Sequence, residues 1–382
     1  MSSNLFEQIQ NILKNHSKFL SVKKYKNKKL YNYNKEIIIS QGYNIYSGIG
    51  ICRSIITNNE NNLLMISPSK SLDYDFFIKD YPNVDDVIVE EFIEGTMINV
   101  FWDPEYETWE FSTKTNISGN TTFFNEKTFR VLFEEVLEYA KLDLNQLNKN
   151  ICYSFVFQHP ENRIVTQFKQ LNLYLIEAYK ITNNSVEILD TRELLKTYAF
   201  NNTKIFCPLI YDSNKSYEDL YNFYTNKSLN YTFMGVVIRD KSTNIRTKIR
   251  NPCYEMVRIL RGNNPKLQYH YYYLLKENRI NLFLTYYPEY KNDFISFERK
   301  DKLFNETLYK NYVSCYIKKE KQLNEYPKNY KTHMYKIHQI YKDFLQCKKS
   351  SINLNSVKKY TINLDIKLYI WSVNYDYYEN TY

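Results

Sequence analysis

Residues 87–102 read Val-Ile-Val-Glu-Glu-Phe-Ile-Glu-Gly-Thr-Met-Ile-Asn-Val-Phe-Trp, and this stretch decides the fold class. Its two runs of β-branched and aromatic residues, 87–92 and 96–102, predict two strands that break at Gly95. In the next run, 108–114, apolar and polar residues alternate as they do in a half-buried strand. This part of the chain is therefore predicted to be rich in β-structure.

Similar short strands are predicted on both sides of this stretch. Runs of strand length that are enriched in Val, Ile, Tyr and Phe lie between polar turns. They are residues 37–39, 50–56, 63–66, 153–158, 171–181, 185–189, 234–239 and 246–250. One helix interrupts them, because the apolar residues of 125–140 repeat at helical spacing. A short amphipathic helix is also predicted at the N-terminus, with its apolar face formed by Leu5, Phe6, Ile9, Ile12 and Leu13.

The pattern becomes helical after Tyr254. Two stripes of large apolar residues recur there every three or four positions, and such stripes more often pack in a core than bind a ligand. They are Leu308, Tyr312 and Tyr316, and Met334, Ile337, Tyr341 and Leu345. We therefore predict an α+β protein of antiparallel sheets with flanking helices, followed by a mostly helical C-terminal domain. The predicted regions are a basic N-terminal helix and lead-in (1–35), a β-rich domain (36–255) and a basic helical domain (256–382).

The charge of the chain is concentrated near its two ends. The 382 residues include 51 Lys or Arg and 42 Asp or Glu, which gives a formal net charge of +9. Residues 299–349 carry 13 Lys or Arg against 5 Asp or Glu, and residues 1–30 carry seven lysines against one glutamate. Basic segments around a nearly neutral middle favour contact with a long polyanion, most simply RNA. The alternative is a solvated, lysine-rich surface.

Cysteine spacing and hydropathy indicate an intracellular protein without metal or membrane. The six cysteines are scattered and form no Cys-x-x-Cys pair, so a zinc site and a disulfide framework are both disfavoured. No signal peptide and no apolar run of transmembrane length is evident. We expect a cytoplasmic location. The abundance of Asn, Ile, Lys and Tyr is typical of an AT-rich genome, such as that of a large DNA virus or a parasite.

Five segments then occur in the order of a known series of motifs. They are Gly50-Ile51-Cys52-Arg53-Ser54, Glu91-Phe92-Ile93-Glu94-Gly95-Thr96, Trp109-Glu110-Phe111-Ser112-Thr113-Lys114, Tyr153-Ser154-Phe155-Val156 with Asn162-Arg163-Ile164-Val165, and Met234-Gly235-Val236-Val237 with Lys248-Ile249-Arg250. In order and spacing they resemble the motifs of covalent nucleotidyltransferases, and most closely those of bacteriophage-type, ATP-dependent RNA ligases that repair tRNA. The resemblance covers about 200 residues and implies the ligase nucleotidyltransferase fold. It also implies that the basic helical tail engages RNA, such as a tRNA-like structure.

The resemblance carries a set of nucleotide- and phosphate-binding positions onto this chain. They are Arg53, Glu94, Gly95, Lys114, Arg163, Lys248 and Arg250. The residues themselves support one pair, because Lys248 and Arg250 are two apart on a predicted strand and point to one face while Ile249 points to the other. Such a pair of cations can clamp a chain of phosphates. The competing interpretation of Arg53, Lys114, Lys248 and Arg250 is a surface charge on an ordinary strand. That of Arg163 is a salt bridge in a turn.

The nucleophile and the acidic residues of the family are missing. An active ligase attacks the α-phosphate of ATP with a lysine amine, passes the AMP to an RNA 5′-phosphate and joins a 3′-hydroxyl. Phe92 stands at the lysine position, Ser154 at that of a glutamate, and Met234 at that of a metal-binding glutamate. A phenyl ring cannot form a phosphoramidate, and magnesium prefers hard oxygen ligands. We therefore predict no intact catalytic residue and no metal site.

Three functions remain open from the sequence. The first is an RNA-binding pseudoenzyme on a ligase fold. The second is an active ligase or nucleotidyltransferase that uses ATP and magnesium with a relocated lysine, for which Lys70 and Lys114 are candidates. The third is a structural or scaffold protein, bound to a protein partner, in which Phe92 and Met234 fill the old pocket.

Overall fold

Strands dominate the first part of the chain and helices the second. The computed structural model describes residues 5–42, 48–122, 126–212, 215–345 and 350–376. Two compact units divide the chain, residues 1–259 and residues 260–382.

The strands of the described residues all lie in the first unit. They are β1 (Leu20–Tyr25), β2 (Lys28–Tyr33), β3 (Ile55–Asn58), β4 (Leu63–Ile66), β5 (Val87–Glu91), β6 (Thr96–Asp103), β7 (Thr108–Ser112), β8 (Ile151–Gln158), β9 (Asn172–Ile181), β10 (Val186–Leu189), β11 (Ile205–Phe206), β12 (Ile210–Tyr211), β13 (Gly235–Asp240) and β14 (Arg246–Arg250).

The α-helices of the described residues are shared between the two units, and the second unit contains α-helices without strands. They are α1 (Leu5–Asn15), α2 (Lys35–Ser40), α3 (Tyr74–Asp80), α4 (Phe129–Ala140), α5 (Thr191–Leu194), α6 (Tyr217–Tyr224), α7 (Pro252–Arg261), α8 (Leu267–Lys276), α9 (Ile280–Tyr286), α10 (Lys291–Tyr312), α11 (Lys328–Ile340), α12 (Leu354–Ile362) and α13 (Ile366–Val373). In the ranges that the structure describes, no helix has the length and apolar character needed to cross a membrane.

Within the described residues the strands form three sheets. The N-terminal sheet has the order β1-β2-β3-β4. The central sheet has the order β10-β9-β8-β6-β7, with β11 paired in parallel to β9, and the cleft sheet has the order β12-β5-β13-β14. All other pairs are antiparallel. The predicted α+β class, with antiparallel sheets and a helical C-terminal region, is confirmed.

Helices cover one face of the central sheet and one face of the cleft sheet. On the central sheet, Leu132, Phe133 and Val136 of α4 pack against the apolar side chains that β6, β7, β8 and β9 direct to that face. Helix α4 begins where the Thr128 hydroxyl accepts a hydrogen bond from the backbone N–H of Val131. On the cleft sheet, Phe77 of α3 packs in a separate core together with residues of β5, β13 and β14. The opposite face of the central sheet packs in part against the N-terminal sheet, through Phe101, Cys152 and Tyr179. The polar residues described below lie on that same face and on the face of the cleft sheet opposite α3.

Two predicted strands are wrong or displaced. The Ile37–Ile39 run lies in helix α2, because the Asn34 side chain caps the helix by accepting hydrogen bonds from the backbone N–H groups of residues 36 and 37. The run 50–56 begins with a 3₁₀ turn at Ile49–Ile51, so that the strand is only β3. The predicted helix 125–140 corresponds to α4, which begins only at Phe129, and residue 125 lies outside the described residues.

The basic lead-in folds as a hairpin that the sequence did not predict. Strands β1 and β2 pair from Leu20 with Tyr33 to Tyr25 with Lys28, and Lys26 takes a positive φ of 50° in the turn. Lys28 is 1% exposed and forms an ion pair with Asp103. Part of the N-terminal basic charge is therefore neutralised inside the protein and is not available to a polyanion.

The helical unit has its own core. Predicted stripe residues Leu308 and Tyr312 on α10 and Met334 and Ile337 on α11 are all buried, which confirms that they pack in the core. Leu345, the last residue of the second stripe, has a side chain outside the described residues.

Candidate functional site

Strand alternation gathers three cations on one face of β14. Side chains of Arg246, Lys248 and Arg250 lie on that face, because successive residues of a strand point to opposite sides of the sheet. The intervening Ile249 is 2% exposed and belongs to the apolar core on the other face. The cation-bearing face is the one directed toward the central sheet.

A buried carboxylate joins the cleft sheet to the central sheet. Glu177 of β9 accepts hydrogen bonds at one oxygen from Arg239 Nη1, at 2.9 Å, and from Arg246 Nη1, at 2.7 Å. Its other oxygen accepts a hydrogen bond from the hydroxyl group of Tyr179. Burial alone would raise the pKa of Glu177, but the two guanidinium groups outweigh it and the pKa is lowered. The carboxylate is therefore ionised and fully engaged.

Phe92 lies under two of the cations. It follows β5, and its backbone N–H donates to the carbonyl of Gly235 at 3.0 Å. Lys248 Nζ is 4.2 Å from the centre of the Phe92 ring, and the Arg250 guanidinium carbon is 5.2 Å from it. The ring offers a cation–π contact but no atom that could share a proton or form a bond to phosphorus.

Arg53 and Lys248 form the least compensated part of this cation cluster. Burial, and then the charges of Arg246, Arg53 and Arg250, lower the pKa of Lys248 from 10.5 to about 6. Burial is also the main cause of the lowered pKa of Arg53, and Arg246 adds to it. In the described ranges, no carboxylate lies within 4.0 Å of the Lys248 amine or the Arg53 guanidinium.

Two further lysines are in the electrostatic field of Arg53. Lys114 follows β7, with Nζ 5.1 Å from the centre of the Tyr33 ring. Burial and then Arg53 lower the pKa of Lys114, and burial is the main cause of a lowered pKa at Lys70, where Arg53 and Lys114 also contribute. These residues enlarge the cation cluster, which consists of Arg53, Lys70, Lys114, Lys248 and Arg250.

Glu94 and Arg163 hold a loop together. Glu94 Oε1 accepts hydrogen bonds from the backbone N–H of Val165 at 2.7 Å and of Thr166 at 3.0 Å. Arg163 Nε donates to the carbonyl of Val165 at 3.0 Å. Burial raises the pKa of Glu94 although these donors oppose the shift. The visible role of both residues is to position the segment after β8.

Gly95 is required by a close approach of two backbones. Its φ is +150°, and a Cβ added there would lie 2.4 Å from the carbonyl oxygen of Phe157. That distance is far below van der Waals contact, so that only glycine fits between β5 and β6 at this point.

The chain has limited sequence similarity to known proteins. No protein-family model matches the chain. An RNA ligase from Rhodothermus phage RM378 is 32% identical over 96 residues, which are 22% of this chain and 21% of the phage protein. The chain thus matches about a fifth of that relative. It resembles the RNA ligases of the nucleotidyltransferase superfamily.

Solved RNA ligase structures are similar to this RNA ligase-like chain only at low identity. A Naegleria gruberi RNA ligase with PPi is 16% identical with a TM-score of 0.39, and the match covers 50% of this chain and 57% of that chain. An archaeal ATP-dependent RNA ligase is 14% identical with a TM-score of 0.43, over 73% of this chain and 70% of that chain. Another N. gruberi RNA ligase structure, that of a point mutant, contains ATP and Mn.

In this RNA ligase-like chain, Ser154 and Met234 stand at the positions of the missing glutamates, and both form other contacts. Ser154 Oγ donates to Asn99 Oδ1 at 2.8 Å, and Asn99 Nδ2 donates to Ser112 Oγ at 3.3 Å. Ser154 lies directly opposite Glu177 in the register of β8 and β9. Met234 precedes β13, where its carbonyl accepts the backbone N–H of Asn251 at 3.1 Å.

These residues do not fit a divalent metal ion. The Ser154 hydroxyl is part of a buried hydrogen-bonded row, and Met234 offers only a thioether. Both oxygens of Glu177 are already bonded to guanidinium and hydroxyl donors. Magnesium requires hard oxygen ligands that are free to coordinate it, usually one or two carboxylates.

Another carboxylate and histidine group lies away from the cation cluster. In the part of the chain that the structure describes, only Glu135, His159 and Glu161 bring three potential ligand atoms close together. Lys127 Nζ lies 2.9 Å from Glu135 and 2.8 Å from Glu161. The Lys127 ammonium group thus bridges both carboxylates, and the cluster is an ion-pair network of the α4 region.

Three charged residues of the site, Glu177, Arg239 and Arg246, were not predicted from the sequence. A single carboxylate in the otherwise apolar run of β9 was a signal, since a charge buried in a strand needs a partner. Arg246 shares the two-residue period of Lys248 and Arg250, and could have been assigned to their face. Arg239 gave no comparable signal, because its face depends on the pairing of β13 with β5.

Proposed function

We propose that this chain is a catalytically degenerate RNA ligase-like protein, which binds RNA or a nucleotide through its phosphates without standard lysine adenylylation. The observation that carries the proposal is the Phe92 ring packed under Lys248 and Arg250, at the position where a ligase has its reactive lysine. The cations of a phosphate site are kept there and the nucleophile is replaced by an apolar surface.

The cation cluster supports phosphate binding because burying its basic groups without an anion costs free energy. Burying a charged or forcibly neutralised amine next to guanidinium groups costs several kcal/mol unless an anion is present. Strongly perturbed basic groups in a cleft are typical of functional sites. A phosphate chain placed over Lys248 and Arg53 would supply the missing negative charge.

The absence of standard adenylylation follows from two independent features. The phenyl ring of Phe92 has no lone pair with which to attack phosphorus. The carboxylates that would bind magnesium are replaced by Ser154 and Met234. Restoring adenylylation would therefore require the metal-binding carboxylates as well as the lysine.

We propose RNA as the larger ligand because of the charge of the helical unit. Residues 299–349 carry 13 Lys or Arg against 5 Asp or Glu, and their cations would contact the sugar-phosphate backbone. We also propose an intracellular, cytoplasmic location, because Cys52, Cys152, Cys207, Cys253 and Cys315 are unbridged thiols.

A covalent-labelling experiment tests the lack of adenylylation. Purified protein is incubated with α-³²P-labelled ATP, with and without magnesium or manganese, and is then resolved on a denaturing gel. We expect no label on the protein. A label that disappears in Lys70→Met, Lys114→Met or Lys248→Met would instead establish an active nucleotidyltransferase with a relocated lysine.

A binding experiment tests the phosphate site itself. A 5′-phosphorylated RNA is titrated with the wild-type protein, with Arg53→Met, and with Lys196→Met as a control. Lys196 is exposed and pairs with Glu193 at 2.7 Å, so its loss removes one positive charge outside the cluster. We expect about a tenfold weaker affinity for Arg53→Met and a near-unchanged affinity for the control. Equal affinities of all three proteins would contradict a phosphate site at Arg53.

A further inference from the structure

Within the described residues, three glutamates form ion pairs with the arginines of the cleft sheet. Glu177 holds Arg239 and Arg246, and Glu90 lies 3.2 Å from Arg239 Nε. Glu255 bridges Arg250 and Arg258. These three carboxylates could coordinate a divalent metal only by giving up their guanidinium partners.

Two basic groups of the cluster, those of Arg53 and Lys248, have no such carboxylate partner in the described ranges. The described residues place no carboxylate within 4.0 Å of either side chain, and Lys248 Nζ faces the Phe92 ring. Guanidinium and ammonium groups bind phosphate oxygens directly, the guanidinium through two parallel hydrogen bonds. Direct binding by these groups performs the charge neutralisation for which a metal ion is otherwise used.

We propose that the cleft binds a triphosphate chain in its metal-free form, and that divalent cations weaken the binding. This inference rests on the proposed function, since it specifies the ligand of the same site. A free triphosphate presents all its anionic oxygens to Arg53, Lys248 and Arg250. A magnesium-chelated triphosphate presents fewer oxygens, carries two fewer negative charges, and brings a hydrated cation toward an already positive surface.

The chemistry of the ligand has two possible sources, a nucleoside triphosphate and the 5′-triphosphate end of an RNA. Both place the same chain of phosphates over the cations. Inorganic tripolyphosphate contains this chain alone. Comparison of the three ligands therefore separates the contribution of the phosphates from that of the base and of the RNA.

The test is isothermal titration calorimetry of the full-length protein with tripolyphosphate, ATP and a 5′-triphosphorylated RNA. Each titration is made in EDTA and in excess MgCl₂, with ionic strength matched by KCl, so that screening is the same in both buffers. We expect tripolyphosphate and ATP to bind at least tenfold more tightly in EDTA. Equal or tighter binding in magnesium would overturn the metal-free inference and leave the proposed phosphate site intact. Absence of binding in both buffers, with a folded circular dichroism spectrum, would overturn both.

Variants of Arg53 test whether the triphosphate chain binds at the cation cluster. Arg53→Met should lose at least tenfold in affinity for tripolyphosphate in EDTA, and Arg53→Lys should be intermediate because it keeps the charge without the paired donors. The control Lys196→Met should match the wild type. If Arg53→Met unfolds, Arg53→Lys alone decides the question. Unchanged magnesium-sensitive binding in a folded Arg53 variant would assign the ligand to another surface and refute the proposal.

Discussion

Replacing Lys248 by Met should stabilise the first unit, because it removes an amine whose proton is lost on folding at a cost in free energy. The pKa of Lys248 is about 6 in the folded protein against an ordinary value of 10.5. At pH 7 the unfolded side chain is therefore charged while the folded one is largely neutral. Each unit of pKa difference corresponds to about 1.4 kcal/mol, so that the interval from pH 7 to 10.5 sets an upper limit of about 5 kcal/mol on this cost.

The sign of the pH dependence follows from proton linkage. Between pH 6 and 10.5 the unfolded chain binds more protons at Lys248 than the folded chain, so this residue makes the wild-type protein more stable as the pH rises. Met has a similar length and no charge. We expect Lys248→Met to gain about 2 to 5 kcal/mol at pH 7 and progressively less toward pH 10.

Urea unfolding at several pH values between 6 and 9.5 measures this difference. Trp102 and Trp109 report on the first unit when the Trp371→Phe change removes the signal of the second. Lys114→Met, which removes a cation from a more exposed position, is the matched control and should change stability much less. A Lys248→Met variant that is less stable than the wild type, or whose gain does not depend on pH, would refute the reasoning.

Four other outcomes are expected. Gly95→Ala should destabilise the protein by about 2 kcal/mol or more in thermal unfolding, because the new Cβ would collide with the Phe157 carbonyl; a near-neutral change would contradict the close approach. Glu177→Gln should cost about 3 to 5 kcal/mol in urea unfolding, since it leaves two buried guanidinium groups without their carboxylate. Phe92→Lys should still give no covalent label with α-labelled ATP, and labelling would show that the missing lysine alone prevents the reaction. His333 has its pKa lowered to about 4 by burial, so the helical unit should lose stability as the pH falls from 6.5 to 4, and Trp371 fluorescence during acid titration measures this loss.

The sequence was sufficient for those features that depend on local pattern. Strands β5, β6, β7, β8 and β9 follow from period-two alternation and from runs of β-branched residues, and the helical unit follows from its apolar stripes. The common face of Lys248 and Arg250 is likewise a consequence of a two-residue spacing. Such local geometry depends on neighbouring residues, so it can be predicted without knowing which distant residues they contact.

Features that depend on contacts between residues far apart in the chain could not be predicted from the sequence. The three isoleucines at 37–39 look like a strand until Asn34 is known to cap a helix. Lys28 looks like one more surface lysine, although Asp103 holds it in the interior from 75 positions away. The ion pairs of Glu177 depend on how two sheets face each other, which no spacing within a single strand encodes.

The ion pairs between Glu177 and the two arginines have a kinetic consequence. They connect opposite walls of the cleft with charged hydrogen bonds that are shielded from water, so that widening the cleft would break both of them at once. We therefore expect the two walls to keep their separation when a ligand binds, without an opening motion. The association rate of the ligand should be set by diffusion in the positive field of the cluster, and should fall with added salt much as the attraction itself does.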